Sequence, residues 1–172
     1  KALKQKLCDT SVAPFLRMWQ QQARTLGAAA NLKQQFNGIK HSYETANKYT
    51  DKLTTGAFQS LLDTLEKHDW QVGYASITSK KLSVKKVKSS SIILEQNTLD
   101  NAFDAQGRLN QNIRLFIRGD HQQVIDEIFA LGGLLFKVTD YKSVVKFHGE
   151  YILSVNNNFG DVPEFSSAVQ NL

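Results

Sequence analysis

Apolar positions in the first third of the chain recur at alternating steps of three and four. Val12, Leu16, Trp19, Ala23, Leu26 and Ala30 form one series; Phe36, Ile39, Tyr43, Ala46, Thr50 and Leu53 form a second. Gln, Asn, Lys and Thr fill the positions between. The pattern predicts an amphipathic helical arm with a coiled-coil seam, broken or stuttered near residues 30–32, where the two series fall out of phase. Pro14 lies near the start, where a helix tolerates it. A helix packed on its own domain carries the same stripe.

Thr54-Thr55-Gly56 punctuates the chain, and a helix is predicted over 57–68. Phe58, Leu61, Leu62 and Leu65 mark its buried face, with Thr55 as N-cap. The period then changes to two. A strand is predicted near 72–78 and a second near 82–95, the latter ending in the apolar run Ile92-Ile93-Leu94. Residues 95–112 are polar and read as an insertion, with one helical turn at Leu99, Ala102 and Phe103. Ile113, Leu115 and Ile117 alternate as a strand. Asp120 caps a helix over 121–131, with Val124, Ile125, Ile128 and Phe129 on one face, and Gly132-Gly133 ends it. A strand region over 134–147, a His148-Gly149 turn and a strand through Tyr151, Leu153 and Val155 follow. The last residues read as a loosely held tail.

Helix, strand, strand occurs twice, over 57–95 and over 121–155. Two such units predict an α+β fold: a ferredoxin-like domain of two helices on a four-stranded antiparallel sheet. The chain thus divides into a helical arm (1–54), the ferredoxin-like domain (55–158, with the insertion at 95–112) and a C-terminal tail (159–172).

Composition limits the chemistry. The 172 residues include one cysteine, Cys8, which excludes an internal disulfide framework and a multi-cysteine metal site. No run reaches the roughly 18 to 20 apolar residues of a membrane span. His41, His68, His121 and His148 share no i, i+3 or i+4 spacing, so each reads as a solvated or capping residue. No phosphate-binding glycine loop and no nucleophile elbow occurs. No catalytic residue, cofactor or metal is therefore expected. The net charge is +5. Its densest part is Lys80, Lys81, Lys85, Lys86 and Lys88, with no acid between Trp70 and Leu94. No aromatic interleaves these lysines for base stacking, so a solvated sheet edge is favoured over a partner or lipid contact, and nucleic acid is disfavoured.

The order of a heptad-bearing helix, then helix-strand-strand, then strand-helix-strand-strand resembles the PilO family of type IV pili and the GspM proteins of type II secretion. The stretch IRLFIRGDHQQVIDEIFALGGLLFKVTDYKSVVKFHGEYILSV, residues 113–155, is most similar. The resemblance implies a non-enzymatic scaffold that forms homodimers or heterodimers and links inner-membrane parts of a secretion or pilus machine. It also implies a periplasmic domain held by a membrane anchor absent from this chain, which does not begin with Met. Phe36, Ile39, Tyr43 and Ala46 are the expected interface. Two alternatives keep other partners open: a periplasmic domain of a DotI-like type IV secretion component, and a basic ferredoxin-like nucleic-acid-binding domain.

Overall fold

The structure is a computed structural model, and it describes residues 13–76, 88–140, 143–159 and 162–170. The N-terminal region is two separate helices, α1 (Ala13–Leu26) and α2 (Leu32–Asn47). A 3-10 turn at Gly27–Ala30 separates them, and Asn31 enters α2 with φ 43°. The expected arm is therefore absent. The phase slip near residue 31 is a break between two helices, because a left-handed residue cannot continue a right-handed helix.

α3 (Thr55–Lys67) has its N-cap one residue earlier than expected: Thr54 is the cap, and its hydroxyl accepts from Ala57 N at 3.3 Å. It leads into β1 (Gln71–Ala75). β2 (Ser91–Glu95), the one-turn helix α4 (Gln96–Leu99) and β3 (Ile113–Arg118) follow. Then come α5 (His121–Ala130), β4 (Leu135–Thr139), β5 (Gly149–Leu153) and a terminal turn, α6 (Ser167–Gln170). Asp120 caps α5 as expected, its carboxylate accepting from Gln122 N and Gln123 N.

The sheet has five strands in the order β1-β2-β3-β5-β4. It is mixed, which corrects the expected four-stranded antiparallel ferredoxin-like sheet. β1 runs parallel to β2, pairing Gln71 with Ser91 and Ala75 with Glu95, whereas the other neighbours are antiparallel. Parallel neighbours cannot be joined by a hairpin, so the first helix-strand-strand unit is not a copy of the second.

One sheet face carries the main core. Ile92, Leu94, Leu115, Ile117, Tyr151 and Leu153 pack there beneath α3 and α5. The same-face pairs Ile92–Ile117 and Leu115–Tyr151 follow from the register. Burying each such side chain stabilises the fold by about 1.5–3 kcal/mol. The opposite face holds a smaller cluster of Ile93, Phe116 and Val145. The polar stretch after β2 is ordered: Ala102 is fully buried and Phe103 packs on Phe58. The described part of the C-terminal stretch is also attached. Glu164 N donates to Leu135 O at 2.8 Å along the outer edge of β4, and Val169 is buried against Ala46 and Phe129. Among the described residues no helix is long and apolar enough to cross a membrane.

Candidate functional site

The expected interface stripe is divided between two environments. Ala46 is fully buried, and Tyr43 packs half-buried against the cluster of Phe129, Leu134, Phe136 and Val169. The C-terminal half of α2 therefore seats on the chain's own domain. Ile39 is half-buried, and Phe36 is 46% exposed. The Phe36 ring and that of Trp19 in α1 are crossed at 66° with centroids 4.5 Å apart, so the N-terminal half of α2 presents an aromatic that its neighbour holds in place.

Of the expected basic patch, Lys80, Lys81, Lys85 and Lys86 lie outside the described residues. Lys88 is exposed. Its ammonium pairs with Asp69, and its backbone N–H donates to Gln71 Oε1 at 3.0 Å. The positive excess has another source. Residues 1–54 carry nine Lys and Arg against three Asp and Glu, and residues 55–172 carry twelve against thirteen.

On α1 the exposed residues Arg17, Gln20, Gln21 and Arg24 stand at i, i+3, i+4 and i+7. On α2 the exposed residues Lys33, Phe36, Asn37 and Lys40 repeat that spacing. Each set is one stripe along its helix, with a cation at either end and amides or an aromatic between. Arg17, Arg24 and Lys33 make no ion pair with a described residue, and Lys40 reaches only the exposed Glu44, at 3.7 Å. The spacing of the polar positions carried this signal, but tracing the apolar seam passes over it.

Two histidines have more elaborate surroundings than surface or cap positions. His148 is fully buried. Its Nδ1 lies 2.8 Å from Lys146 O and its Nε2 lies 2.9 Å from Ser91 Oγ. With Nδ1 donating to the carbonyl, Nε2 accepts the serine hydroxyl, which is the orientation of a nucleophile and its base. Ser91 is fully buried too, so no substrate reaches this pair, and its role is to satisfy the polar groups of the thinner sheet face. Burial pushes the His148 imidazole below its ordinary value of 6.5, and the Arg118 charge adds to this against the opposing Lys146 carbonyl. His121, at the start of α5, has its Nδ1 2.6 Å from the buried Tyr151 hydroxyl. Burial and then Lys137 lower its pKa, against the opposing charges of Asp140, Glu164 and Asp120. His41 is exposed beside Thr45, and His68 ends α3. Cys8 lies outside the described residues. Among the described residues, no group of three His, Cys, Asp or Glu side chains is arranged to hold a metal.

A cleft of about 490 Å³ opens where the stretch after β2 meets the end of α5, with Asp51, Asp104, Arg108, Asn110 and Asn156 on its walls. Asp104 belongs to the wall itself. Its Oδ1 accepts from Gln106 N and Arg108 N, and its Oδ2 accepts from Arg108 Nε at 3.0 Å. The Arg108 backbone N–H chiefly holds this carboxyl below its usual range. The charged pair thus closes a turn, and the cleft brings no nucleophile and base together.

No curated protein and no solved structure matches the chain. The family described as a protein of unknown function, DUF2913, matches residues 1–166, and the chain belongs to that family.

Proposed function

We propose that this chain is a non-catalytic binding module whose working surface is the exposed side of α1 and α2, and that its partner is anionic. One observation carries the reading: two neighbouring helices present matched stripes ending in cations, in the region that holds the whole positive excess of the chain. Long cationic side chains exposed along both helices attract polyanions and accelerate their encounter. The sealed Ser91–His148 pair and the internally satisfied cleft lend no support to an enzyme.

Retention on immobilised heparin tests this. The chain is expected to bind at about 50 mM salt and elute as salt rises through a few hundred millimolar, since ionic contacts are screened. Reversing Arg17, Arg24, Lys33 and Lys40 to Glu together should abolish retention while leaving thermal unfolding unchanged. A wild-type chain that passes unretained, or a reversed variant retained equally, overturns the proposal.

A scaffold built on self-association is the second reading, favoured by the exposure of Phe36. Tyr43 and Ala46 are already engaged inside the chain, so such a contact would rest on Phe36 and Ile39. Sedimentation that shows concentration-dependent dimers, weakened by Phe36→Asp with Ile39→Asp, would favour it. The pilus and secretion expectations leaned on a ferredoxin-like plan that the mixed sheet does not have.

A further inference from the structure

Resting on that reading, we infer that the anionic partner is single-stranded nucleic acid, with Phe36 as the stacking platform. A highly sulfated chain or an anionic lipid surface needs only the cations. The stripes offer more. Gln20 and Gln21 stand exposed between Arg17 and Arg24, and Asn37 and Phe36 stand between Lys33 and Lys40. A carboxamide both donates and accepts, which matches the edge of an unpaired base. An exposed aromatic matches its face.

The Phe36 ring does not lie flat on the protein. Trp19 meets it at 66°, so the contact braces the ring and leaves much of it to solvent. Cations seven residues apart on one helix are separated by about 10.5 Å at 1.5 Å per residue. That distance is about three steps of a stacked strand at 3.4 Å each. One base on Phe36 therefore leaves flanking phosphates within reach of Lys33 and Lys40. A duplex is disfavoured because its base faces are closed to stacking. Glu44, beside Lys40, is the single acid along the exposed side of α2 and sits past the end of the stripe.

The experiment uses the full chain and labelled 20-nucleotide oligo-dT and oligo-rU, a duplex of equal length, heparin, and vesicles rich in phosphatidylserine. Single strands are expected to bind most tightly, with a salt slope of about −1.4 for the two phosphate contacts of Lys33 and Lys40. Binding should quench the fluorescence of Trp19. The other tryptophan, Trp70, is buried, with its Nε1 donating to Gln123, and serves as the internal reference. Phe36→Ala should weaken single-strand binding about tenfold, and Phe36→Trp should restore it, with heparin retention unchanged by either. Equal affinity for duplex, heparin and single strands, insensitive to Phe36→Ala, overturns this inference and leaves the anionic-partner reading standing. Binding to vesicles alone also overturns it. Failure to bind any polyanion removes both.

Discussion

Arg114 Nε donates to Glu150 at 2.8 Å across the β3–β5 pair, and its Nη1 stands 3.5 Å from Glu95 on β2. One guanidinium thus joins three strands on the face opposite α3 and α5. Both glutamate side chains are 11% exposed, and that of Arg114 is 26% exposed. Burial alone would lower the Arg114 pKa, but the Glu150 hydrogen bond and the two carboxylate charges outweigh it and hold the pKa above its ordinary value. Arg114→Met leaves two carboxylates side by side with no cation, and a loss of about 3 kcal/mol is expected in urea unfolding. Adding Glu95→Gln and Glu150→Gln to that variant should recover at least half of the loss, since no buried charge then remains. A loss below about 0.5 kcal/mol for Arg114→Met would place the triad with ordinary surface pairs.

The two inner histidines set a pH dependence of known sign. Both have pKa values lowered in the folded state. An unfolded chain takes up these protons near 6.5, and the folded chain takes them up only at lower pH. Between those values the unfolded state binds more protons, so the unfolding free energy falls as pH falls. Stability from this source is complete well above the ordinary value of 6.5 and is lost as pH falls below it, through the lowered folded-state values. His148→Gln should flatten that decline in denaturant titrations at stepped pH. An unchanged slope would show that the burial of His148 does not govern it.

Much of the fold is legible in local pattern. α3 and α5 follow from four apolar residues each at helical spacing and from side chains able to cap the first turn. β3 and β5 follow from alternation. The direction of β1 does not, because Val72 and Tyr74 alternate identically whether the neighbouring strand is parallel or antiparallel. The insertion of β5 between β3 and β4 is equally silent in sequence. His148 reads as a turn residue because its partner, Ser91, lies 57 positions away. An apolar stripe such as Tyr43 and Ala46 likewise does not state whether its partner belongs to another chain. Here it is Phe129 and Val169 of the same chain. The polar stripes of α1 and α2 are present in the spacing, but only the fold shows which polar positions are exposed.

Asn157 ties α2 to the sheet. It is buried at φ 53°. Its Oδ1 accepts from Leu134 N at 2.8 Å, and its Nδ2 donates to Gly132 O at 3.0 Å and Asn47 Oδ1 at 3.2 Å. Asn157→Ala strands a buried N–H and a buried carbonyl, and about 2–3 kcal/mol of stability should go. Asn157→Gly loses the same bonds but accepts the left-handed backbone. It should be less damaging than Ala by about 1 kcal/mol, a difference that isolates the backbone component. Asn47→Ala, at an exposed position, should cost less than about 1 kcal/mol. Equal losses for Asn157→Ala and Asn157→Gly in chemical denaturation would count against any backbone component.

Two glycines make opposite predictions. Gly132 has φ +82°, and a Cβ there would stand 2.3 Å from Tyr49 O and 2.4 Å from Tyr49 C. The obstacle is backbone at the end of the α2 region, so no side-chain rotation relieves it. Gly132→Ala must push apart the helical layer and the end of α5, and a loss above about 3 kcal/mol, or failure to fold, is expected. Gly132→Asn separates conformation from space. Asn tolerates a left-handed backbone yet carries the same Cβ, so it should fail as Ala does if space is the constraint. Gly56 lies in the first turn of α3 with nothing within 4 Å of the corresponding position. Gly56→Ala restricts the unfolded chain without a clash and should add about 0.5–1 kcal/mol, seen as a rise of about 1–4 °C in Tm. A Gly132→Asn variant as stable as wild type would show that the Tyr49 backbone yields at little cost and that this junction is looser than the packing implies.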